Sequence, residues 1–187
     1  GAGAAGIAIA AAAPGAQVSL FDINAAALKA SRVNCALNGA ANAHAAHSDV
    51  LAAARGAFDL IVANPPYLLD DGERVYRHGG GALGEGLSLR IVREAPPLLA
   101  PGGALLLYTG SAIVEGRDCF RAAAEQIVPP TGFEWTYEEL DPDVFGEELT
   151  EPAYAAAERI AAVVLTIFRE PRHAFWRAID APRSARS

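Results

Sequence analysis

The residues best suited to chemistry are Asn64-Pro65-Pro66-Tyr67, which follow the short apolar segment Phe58–Ala63. This segment contains β-branched residues and predicts a strand buried on both faces of a parallel sheet. The two prolines end the strand, so the Asn64 amide, the Pro65 carbonyl and the Tyr67 ring are presented together at its carboxyl end. Ligands bind at this end of the strands in open α/β sheets. Two hydrogen-bond acceptors beside a flat ring can hold a planar N–H group, although a stiff loop without function has the same pattern.

A glycine-rich segment at the start of the chain is the second candidate. Gly1, Gly3 and Gly6 precede an apolar stretch that predicts the start of a helix at Ile7. These glycines would let the backbone approach a ligand closely, with the amino end of the helix directed at it. The spacing G-x-G-x-x-G has low specificity by itself, and an alanine- and glycine-rich chain end without function has the same composition.

The third candidate is an acid at the end of the next predicted strand, Val18–Asp22. Asp22 lies 19 residues after Gly3, which is close to the spacing at which a carboxylate accepts hydrogen bonds from ribose hydroxyls. The alternative is an ordinary turn aspartate at a helix entry, because Asn24 could cap a helix over Ala25–Leu37. Asn38-Gly39 then predicts the end of that helix.

The elements that must position these residues follow from periodicity. Further strands are predicted over Ala43–His47, Ala104–Thr109, Phe133–Leu140 and Ile160–Arg169. Apolar residues at helical spacing predict one helix between 87 and 99, interrupted at Pro96-Pro97, and another that includes Ile113, Phe120, Ala124 and Ile127. If Asp49 has no ligand-binding role, we expect its side chain to cap the short turn 50–56. The last two strands flank an acidic insertion, Asp141–Glu158, which predicts a solvated loop.

The glycine-rich stretch Leu68–Gly86, which follows Tyr67, is long for a loop inside a compact domain. Loops of this length are usually functional or mobile. We therefore expect it to form part of the rim of a binding pocket.

Composition limits the class of protein. The chain has 187 residues, of which 52% are hydrophobic and 20% charged, and these values are typical of one globular domain. A net charge of −7 disfavours a broad phosphate-binding face. Cys35 and Cys119 have neither metal-ligand nor disulfide spacing, so we predict no metal site. No apolar run is long enough to cross a bilayer, and a reducing cytoplasm is the predicted location.

Together, these motifs resemble those of the class I S-adenosylmethionine-dependent methyltransferases, in particular the group whose Asn/Asp-Pro-Pro-Tyr/Phe motif methylates planar nitrogens. The resemblance extends from Gly1 to about Arg169. It implies an α/β, Rossmann-like fold with a mostly parallel, doubly wound sheet and a terminal antiparallel hairpin. It also implies an amino-terminally truncated catalytic domain over residues 1–170, followed by an arginine-rich tail over 171–187.

The resemblance also assigns roles to residues. S-adenosylmethionine is the implied cofactor, and the implied cofactor-binding residues are Gly1, Gly3, Gly6, Asp22, Ile23, Asp49, Val50 and Asn64. In this family the glycine segment faces the methionine portion of the cofactor, the first acid binds ribose and the second meets the adenine amino group. The implied catalytic residues are Asn64 and Pro65, whose oxygens hold the acceptor N–H groups, and Tyr67, whose ring stacks on the acceptor.

The beginning of the chain departs from the family. The sequence contains no methionine and starts inside the glycine segment, whereas these enzymes have a strand immediately before it, at the centre of the sheet. We therefore expect that the sequence is a fragment, or that residues preceding Gly1 were removed or left out.

The identity of the acceptor is suggested by the segment Gly80–Leu87, which resembles the one that follows the motif in the release-factor glutamine methyltransferases. This resemblance implies a glutamine side-chain amide of a translation factor or ribosomal protein as substrate. Two features depart from that family: Arg77-His78 stands near the place of a Glu-Pro, and Gly84-Glu85-Gly86 lacks the expected Asp.

Three alternatives remain open. The exocyclic amine of adenine in ribosomal or transfer RNA is methylated with the same motif. An NAD-dependent dehydrogenase would account for the glycine segment and Asp22, but it would leave Asn64–Tyr67 without a role. A non-catalytic binding subunit would leave Asp22, Asp49 and the motif unexplained.

Overall fold

The computed structural model describes residues 1–69 and 78–170, and the chain folds into two compact units. Unit 1 comprises Gly1–Arg55 and unit 2 comprises Gly56–Ser187. The predicted arginine-rich tail and the acidic part of the long loop, 70–77, lie outside the described residues. The single catalytic domain predicted over 1–170 stays a prediction.

Unit 1 consists of two helices and two parallel strands. Along the chain these are α1 (Ala4–Ala12), β1 (Val18–Asp22), α2 (Ala25–Leu37) and β2 (Ala43–His47). The predicted bounds of β1, α2 and β2 are confirmed. Helix α1 begins three residues before the predicted start, because Gly3 adopts the left-handed region at φ 80° and turns the chain directly into the helix.

The core of unit 1 is small and rich in alanine. Ile7, Ala10, Cys35, Ala40 and Ala43 are buried together, and part of β1 packs against them. A Cβ at Gly6 would lie 2.0 Å from Leu20 Cδ2, so any larger residue there would displace the Leu20 side chain where α1 packs against β1. The predicted cap of α2 is confirmed, since Asn24 accepts a hydrogen bond from Ala26 N at 2.8 Å.

Unit 2 is built on a five-stranded sheet in the order β3-β4-β7-β6, with β5 paired to β4. Its main elements are β3 (Phe58–Ala63), α3 (Gly86–Glu94), β4 (Leu99–Val114), β5 (Arg117–Asp118), α4 (Cys119–Ile127), β6 (Glu134–Asp141) and β7 (Arg159–Phe168). Short 3-10 turns occupy Pro96–Leu98, Pro129–Thr131, Gly146–Thr150 and Pro152–Tyr154. Strands β3 and β4 are parallel, whereas β6 and β7 form the predicted antiparallel hairpin.

Strand β4 is longer than predicted. It extends to Val114 and pairs with β7 from Ala104↔Phe168 to Ile113↔Arg159, so the placement of Ile113 in a helix is wrong. The residues of β4 from Thr109 to Ile113 are all buried, and a strand that is buried on both faces does not show the alternation that distinguishes it from a buried helix. Helix α4 instead begins at Cys119.

Strands β4 and β7 form the core of unit 2. Leu105, Leu107, Leu165 and Ile167 are fully buried, as is the Phe120 ring from α4. No helix within 1–69 and 78–170 is long and apolar enough to cross a membrane.

Candidate active site

The predicted acceptor motif lies where β3 ends. Strand β3 runs parallel to β4, with Ala63 opposite Leu107, and Asn64-Pro65 follows directly. Asn64 is exposed and Pro65 is half-buried. Neither the side-chain amide of Asn64 nor the backbone carbonyl of Pro65 has a protein hydrogen-bond partner within the described ranges. Both oxygens can therefore accept hydrogen bonds from a ligand.

The Tyr67 ring is held by packing on several sides. Its centroid lies 6.0 Å from that of Tyr108 on β4, in an edge-on arrangement, and 5.4 Å from that of Phe145 in the acidic insertion. A Cβ at Gly110 would lie 2.8 Å from Tyr67 Cδ2, so β4 provides space for the ring by lacking a side chain there. The plane of the Tyr67 ring is thus set before any ligand binds.

The backbone of the motif is held by the glycine-rich segment that follows it. Gly79 N donates a hydrogen bond to Leu68 O at 2.7 Å. A Cβ at Gly84, whose φ is 90°, would lie 2.3 Å from Tyr67 O, and one at Gly79 would lie 2.8 Å from Tyr67 Cα. We expected this segment to border a pocket. Its described part packs against the motif backbone and supports it.

Tyr154 connects the acidic insertion to the motif. Its hydroxyl accepts a hydrogen bond from Leu69 N at 2.8 Å and lies at 3.4 Å from Leu83 O, to which it can donate. The side chain is only 1% exposed. Exposed Glu147 and Glu151 agree with the predicted solvated loop, but sequence reasoning missed Phe145 and Tyr154. The available signal was the presence of two aromatic residues in an otherwise acidic segment.

Burial changes the titration of these tyrosines. The pKa of Tyr67 is raised from 10.0 to about 12, first by burial and then by the charge and hydrogen bond of Tyr108. Burial also raises the pKa of Tyr154. Tyr67 is therefore neutral at physiological pH, which suits a ring that stacks and does not suit a general base.

Apart from Asn64, the predicted cofactor residues lie in unit 1, where Asp22 and Asp49 are found at or just after the carboxyl ends of two paired strands. Strands β1 and β2 are parallel, with Asp22 opposite His47. Ser48 N donates a hydrogen bond to Asp22 O at 3.1 Å. Asp22 and Asp49 are thus brought to the same edge of this sheet.

The side chain of Asp22 is held from two directions. Its Oδ1 accepts a hydrogen bond from Asn24 N at 2.8 Å, and its Oδ2 accepts one from Gly1 N. Each carboxylate oxygen retains a second acceptor position. The neighbouring Ile23 side chain is 47% exposed.

The Asp49 side chain is exposed, and Val50 after it has a positive φ of 49°. This conformation is rare for a β-branched residue. The buried Ser48 accounts for it, because Ser48 Oγ donates to Val50 O at 2.8 Å and accepts from Ala53 N at 3.0 Å. The turn is thus held by Ser48, which sequence reasoning had not selected.

Two side chains of α2 contact the glycine segment. Ser31 Oγ donates to Gly1 O at 3.0 Å, and Asn34 Nδ2 donates to Ala2 O at 3.0 Å. Sequence reasoning missed both residues, because a serine and an asparagine within a helical pattern do not indicate a contact 30 residues away.

Comparison with known proteins identifies the family. The family model of the methyltransferase small domain matches residues 1–114 of this chain. The chain belongs to the methyltransferase small domain family. The predicted resemblance to class I methyltransferases is confirmed at the level of the family.

Two curated relatives match part of this chain. Ribosomal RNA small subunit methyltransferase C of Chromohalobacter salexigens is 38% identical over 97 residues, covering 52% of this chain and 26% of the relative. Release factor glutamine methyltransferase of Deinococcus radiodurans is 37% identical over 117 residues, covering 57% of this chain and 42% of the relative. The chain thus spans less than half the length of both proteins.

Comparison of structures confirms the fold class. A methyltransferase from Pyrococcus furiosus matches with a TM-score of 0.57 at 18% identity, covering 86% of this chain and 68% of that one. At this identity the likeness shows the fold alone. The predicted α/β, Rossmann-like class I fold is confirmed.

The methyltransferase small domain family implies S-adenosylmethionine as methyl donor, and the residues of unit 1 fit it. Carboxylates at Asp22 and Asp49 match the ribose hydroxyls and the adenine amino group, which are hydrogen-bond donors. Exposed Ile23 provides an apolar surface suited to a flat base. Within the described ranges, no three His, Cys, Asp or Glu side chains are grouped so as to hold a metal ion.

Proposed function

We propose that this protein transfers a methyl group from S-adenosylmethionine to a planar nitrogen, with a protein glutamine amide as the favoured acceptor. The observation that carries the proposal is the arrangement at the end of β3. The oxygens of Asn64 and Pro65, which have no protein hydrogen-bond partner within the described ranges, come just before Tyr67 in the chain, and packing holds the plane of the Tyr67 ring. The cofactor residues are Gly1, Gly3, Gly6, Asp22, Ile23, Asp49, Val50 and Asn64.

The chemical difficulty lies in the acceptor. S-adenosylmethionine supplies a methyl group bound to a positively charged sulfur, and this methyl is transferred by in-line displacement. The lone pair of an amide nitrogen is delocalised, so the nitrogen is a poor nucleophile. When the Asn64 and Pro65 oxygens each accept one N–H bond, they hold the nitrogen and orient its lone pair.

The same two bonds favour the transition state. As the new N–C bond forms and the S–C bond breaks, positive charge develops on the nitrogen, and hydrogen bonds to oxygen acceptors become stronger. Tyr67 stacks on the flat acceptor and excludes water from one face. The nitrogen then loses one proton to solvent, so no general base is required.

Charge favours a protein acceptor over RNA. The insertion that contacts Tyr67 through Phe145 is rich in acids, which are Asp141, Asp143, Glu147, Glu148, Glu151 and Glu158. Negative charge beside the acceptor motif repels a phosphate backbone, whereas a protein segment with basic residues would be attracted. A translation factor or ribosomal protein in the cytoplasm is the proposed partner.

Adenine in ribosomal RNA is the second candidate function. It is supported by the relative named ribosomal RNA small subunit methyltransferase C. An adenine exocyclic amine is also a planar nitrogen, and the same acceptors could hold it. We rank adenine methylation second because the acidic insertion beside the acceptor motif would repel an RNA backbone.

Cofactor binding is the first test. Isothermal titration of the purified chain with S-adenosylhomocysteine and with NAD should show binding of the former. Binding of NAD alone would favour a dehydrogenase and overturn the proposal. Binding of neither would favour a non-catalytic subunit.

The acceptor is tested by labelling. The chain is incubated with methyl-labelled S-adenosylmethionine and separate protein and RNA fractions of cells that lack its gene. Hydrolysis and mass spectrometry should then find N-methylglutamine in the protein fraction. Methyladenine in the RNA fraction would instead support the second candidate, and label in neither fraction would contradict both.

A further inference from the structure

Two polar side chains of helix α2 bind the carbonyl groups of the glycine segment. Ser31 Oγ lies 3.0 Å from Gly1 O, and Asn34 Nδ2 lies 3.0 Å from Ala2 O. We propose that Ser31 and Asn34 are positioning residues, which orient the backbone amides of this segment toward the amino-acid portion of S-adenosylmethionine. The inference rests on the proposed function, because it concerns the same cofactor.

The geometry of the peptide bond links these carbonyls to the amides. In a trans peptide unit the C=O and N–H groups point in opposite directions. Binding of Gly1 O by Ser31 therefore turns Ala2 N–H away from α2, and binding of Ala2 O by Asn34 does the same for Gly3 N–H. Neither N–H has a protein acceptor in the part of the chain that the structure describes. Two adjacent donors are thus left to bind a carboxylate.

The burial of Ser31 argues against a fortuitous contact. Its side chain is 2% exposed, although serine is mostly found at protein surfaces. A Cβ at Gly3 would lie 3.1 Å from both Ser31 Oγ and Leu20 Cδ1, so the segment passes close to the helix and strand. A buried hydroxyl needs a hydrogen-bond partner, and Gly1 O is that partner.

The chemistry of the neighbouring groups indicates which part of the cofactor the glycine segment would bind. The carboxylates of Asp22 and Asp49 suit the adenosine portion, whereas N–H donors suit the carboxylate of the amino-acid portion. A segment that is already oriented loses less entropy when the ligand binds. Loss of Ser31 or Asn34 should therefore weaken binding of ligands that carry the amino-acid portion and spare those that lack it.

The test measures the affinities of two ligands for the Ser31→Ala and Asn34→Ala variants of the full chain. S-adenosylhomocysteine carries the amino-acid portion, and 5′-methylthioadenosine does not. Each substitution should weaken S-adenosylhomocysteine about three- to tenfold, the value of one hydrogen bond, and change methylthioadenosine by less than about twofold. Asn34→Ala should leave the helix intact, because alanine has the higher helix propensity.

Asn38→Ala is the matched control. Asn38 follows the end of the same helix, and its amide donates to Asn34 O at 2.8 Å, not to the glycine segment. This variant should bind both ligands as the unsubstituted chain does. An equal loss of both ligands in the Ser31 and Asn34 variants, or no loss of either, would overturn the inference. If the unsubstituted chain binds neither ligand, the proposed function itself is wrong.

Discussion

The candidate site residues of unit 1 are held mainly by hydrogen bonds, whereas those of unit 2 are held mainly by packing. In unit 1, polar groups of Ser31, Asn34 and Ser48 bind the backbone of the glycine segment and of the turn at Val50. In unit 2, the Tyr67 ring lies against Tyr108 and Phe145.

This difference follows from the cores of the two units. Unit 1 has a small, alanine-rich core, so packing alone provides little that could hold a loop in place. In unit 2, the sheet and the insertion bury large side chains such as Leu107 and Tyr154. The difference between the two units also suits their proposed roles. The hydrogen-bonding groups of unit 1 match a polar cofactor, whereas a flat acceptor needs a rigid aromatic surface such as that of unit 2. Substitutions in the two units should therefore affect different steps.

The largest expected effect is on methyl transfer in the Asn64→Ala variant. Loss of an acceptor that strengthens in the transition state should lower the transfer rate about 100- to 1000-fold. Affinity for S-adenosylhomocysteine, measured by calorimetry, should change by less than about threefold, because the remaining cofactor residues all lie in unit 1. Full transfer activity in this variant would remove Asn64 from the catalytic residues.

Gly84→Ala tests whether packing holds the motif. The new Cβ would lie 2.3 Å from Tyr67 O, and the residue would have to keep a φ of 90°. We expect a loss of roughly 2–4 kcal/mol of unfolding free energy, measured by urea denaturation. Gly80→Ala is the control, since Gly80 has a φ of 71° but no atom within 4 Å of its Cβ. A loss of the same size in both variants would show that backbone strain, and not contact with the motif, is responsible.

Asp22→Ala tests the cofactor role of unit 1. Loss of a charged hydrogen-bond acceptor should weaken S-adenosylhomocysteine binding about 10- to 100-fold in calorimetry. Transfer at saturating S-adenosylmethionine should be retained to within about threefold if Asp22 serves binding alone. Asp59→Ala, at an exposed acid on β3, should change neither quantity. Unchanged affinity in the Asp22 variant would leave this carboxylate as an ordinary turn residue.

Tyr154→Phe separates support of the motif from general stability. The variant leaves Leu69 N–H without its acceptor, at a cost of about 1–2 kcal/mol in urea denaturation, and should also lower methyl transfer. Tyr137→Phe is the matched control, because the Tyr137 hydroxyl donates to Asp118 Oδ2 at 2.6 Å and makes no hydrogen bond to the motif. The second variant should lose stability but keep its rate of transfer. Equal rates in both variants would mean that Tyr154 does not position the motif.

The smallest effect concerns alkaline pH. The pKa of Tyr67 is about 12 in the folded chain and 10.0 by reference when unfolded, so between these values only the unfolded chain loses the proton. The contribution of Tyr67 to stability is complete below pH 10 and is lost as pH rises toward 12. In urea midpoints, Tyr67→Phe should therefore show a shallower decline over this window. Parallel declines would contradict the raised pKa.

Local sequence determined much of this protein. The strands β1 and β2, the helix α2 and its Asn24 cap follow from short-range pattern, because an apolar period and a capping side chain act within a few residues. The position of Asn64-Pro65-Pro66-Tyr67 after a strand is determined in the same way, since proline removes the N–H group on which the ladder depends.

The supports of the site were decided by tertiary structure. Tyr154 and Leu69 are 85 residues apart, and Ser31 and Gly1 are 30 apart, so no local pattern can indicate either contact. The extent of β4 was also hidden, because it depends on pairing with β7 from Ala104 to Ile113. The sequence by itself predicted which groups do the chemistry, and it determined which strands end beside them. Only tertiary structure decided how those groups are held, because packing and hydrogen bonds join residues that the chain separates.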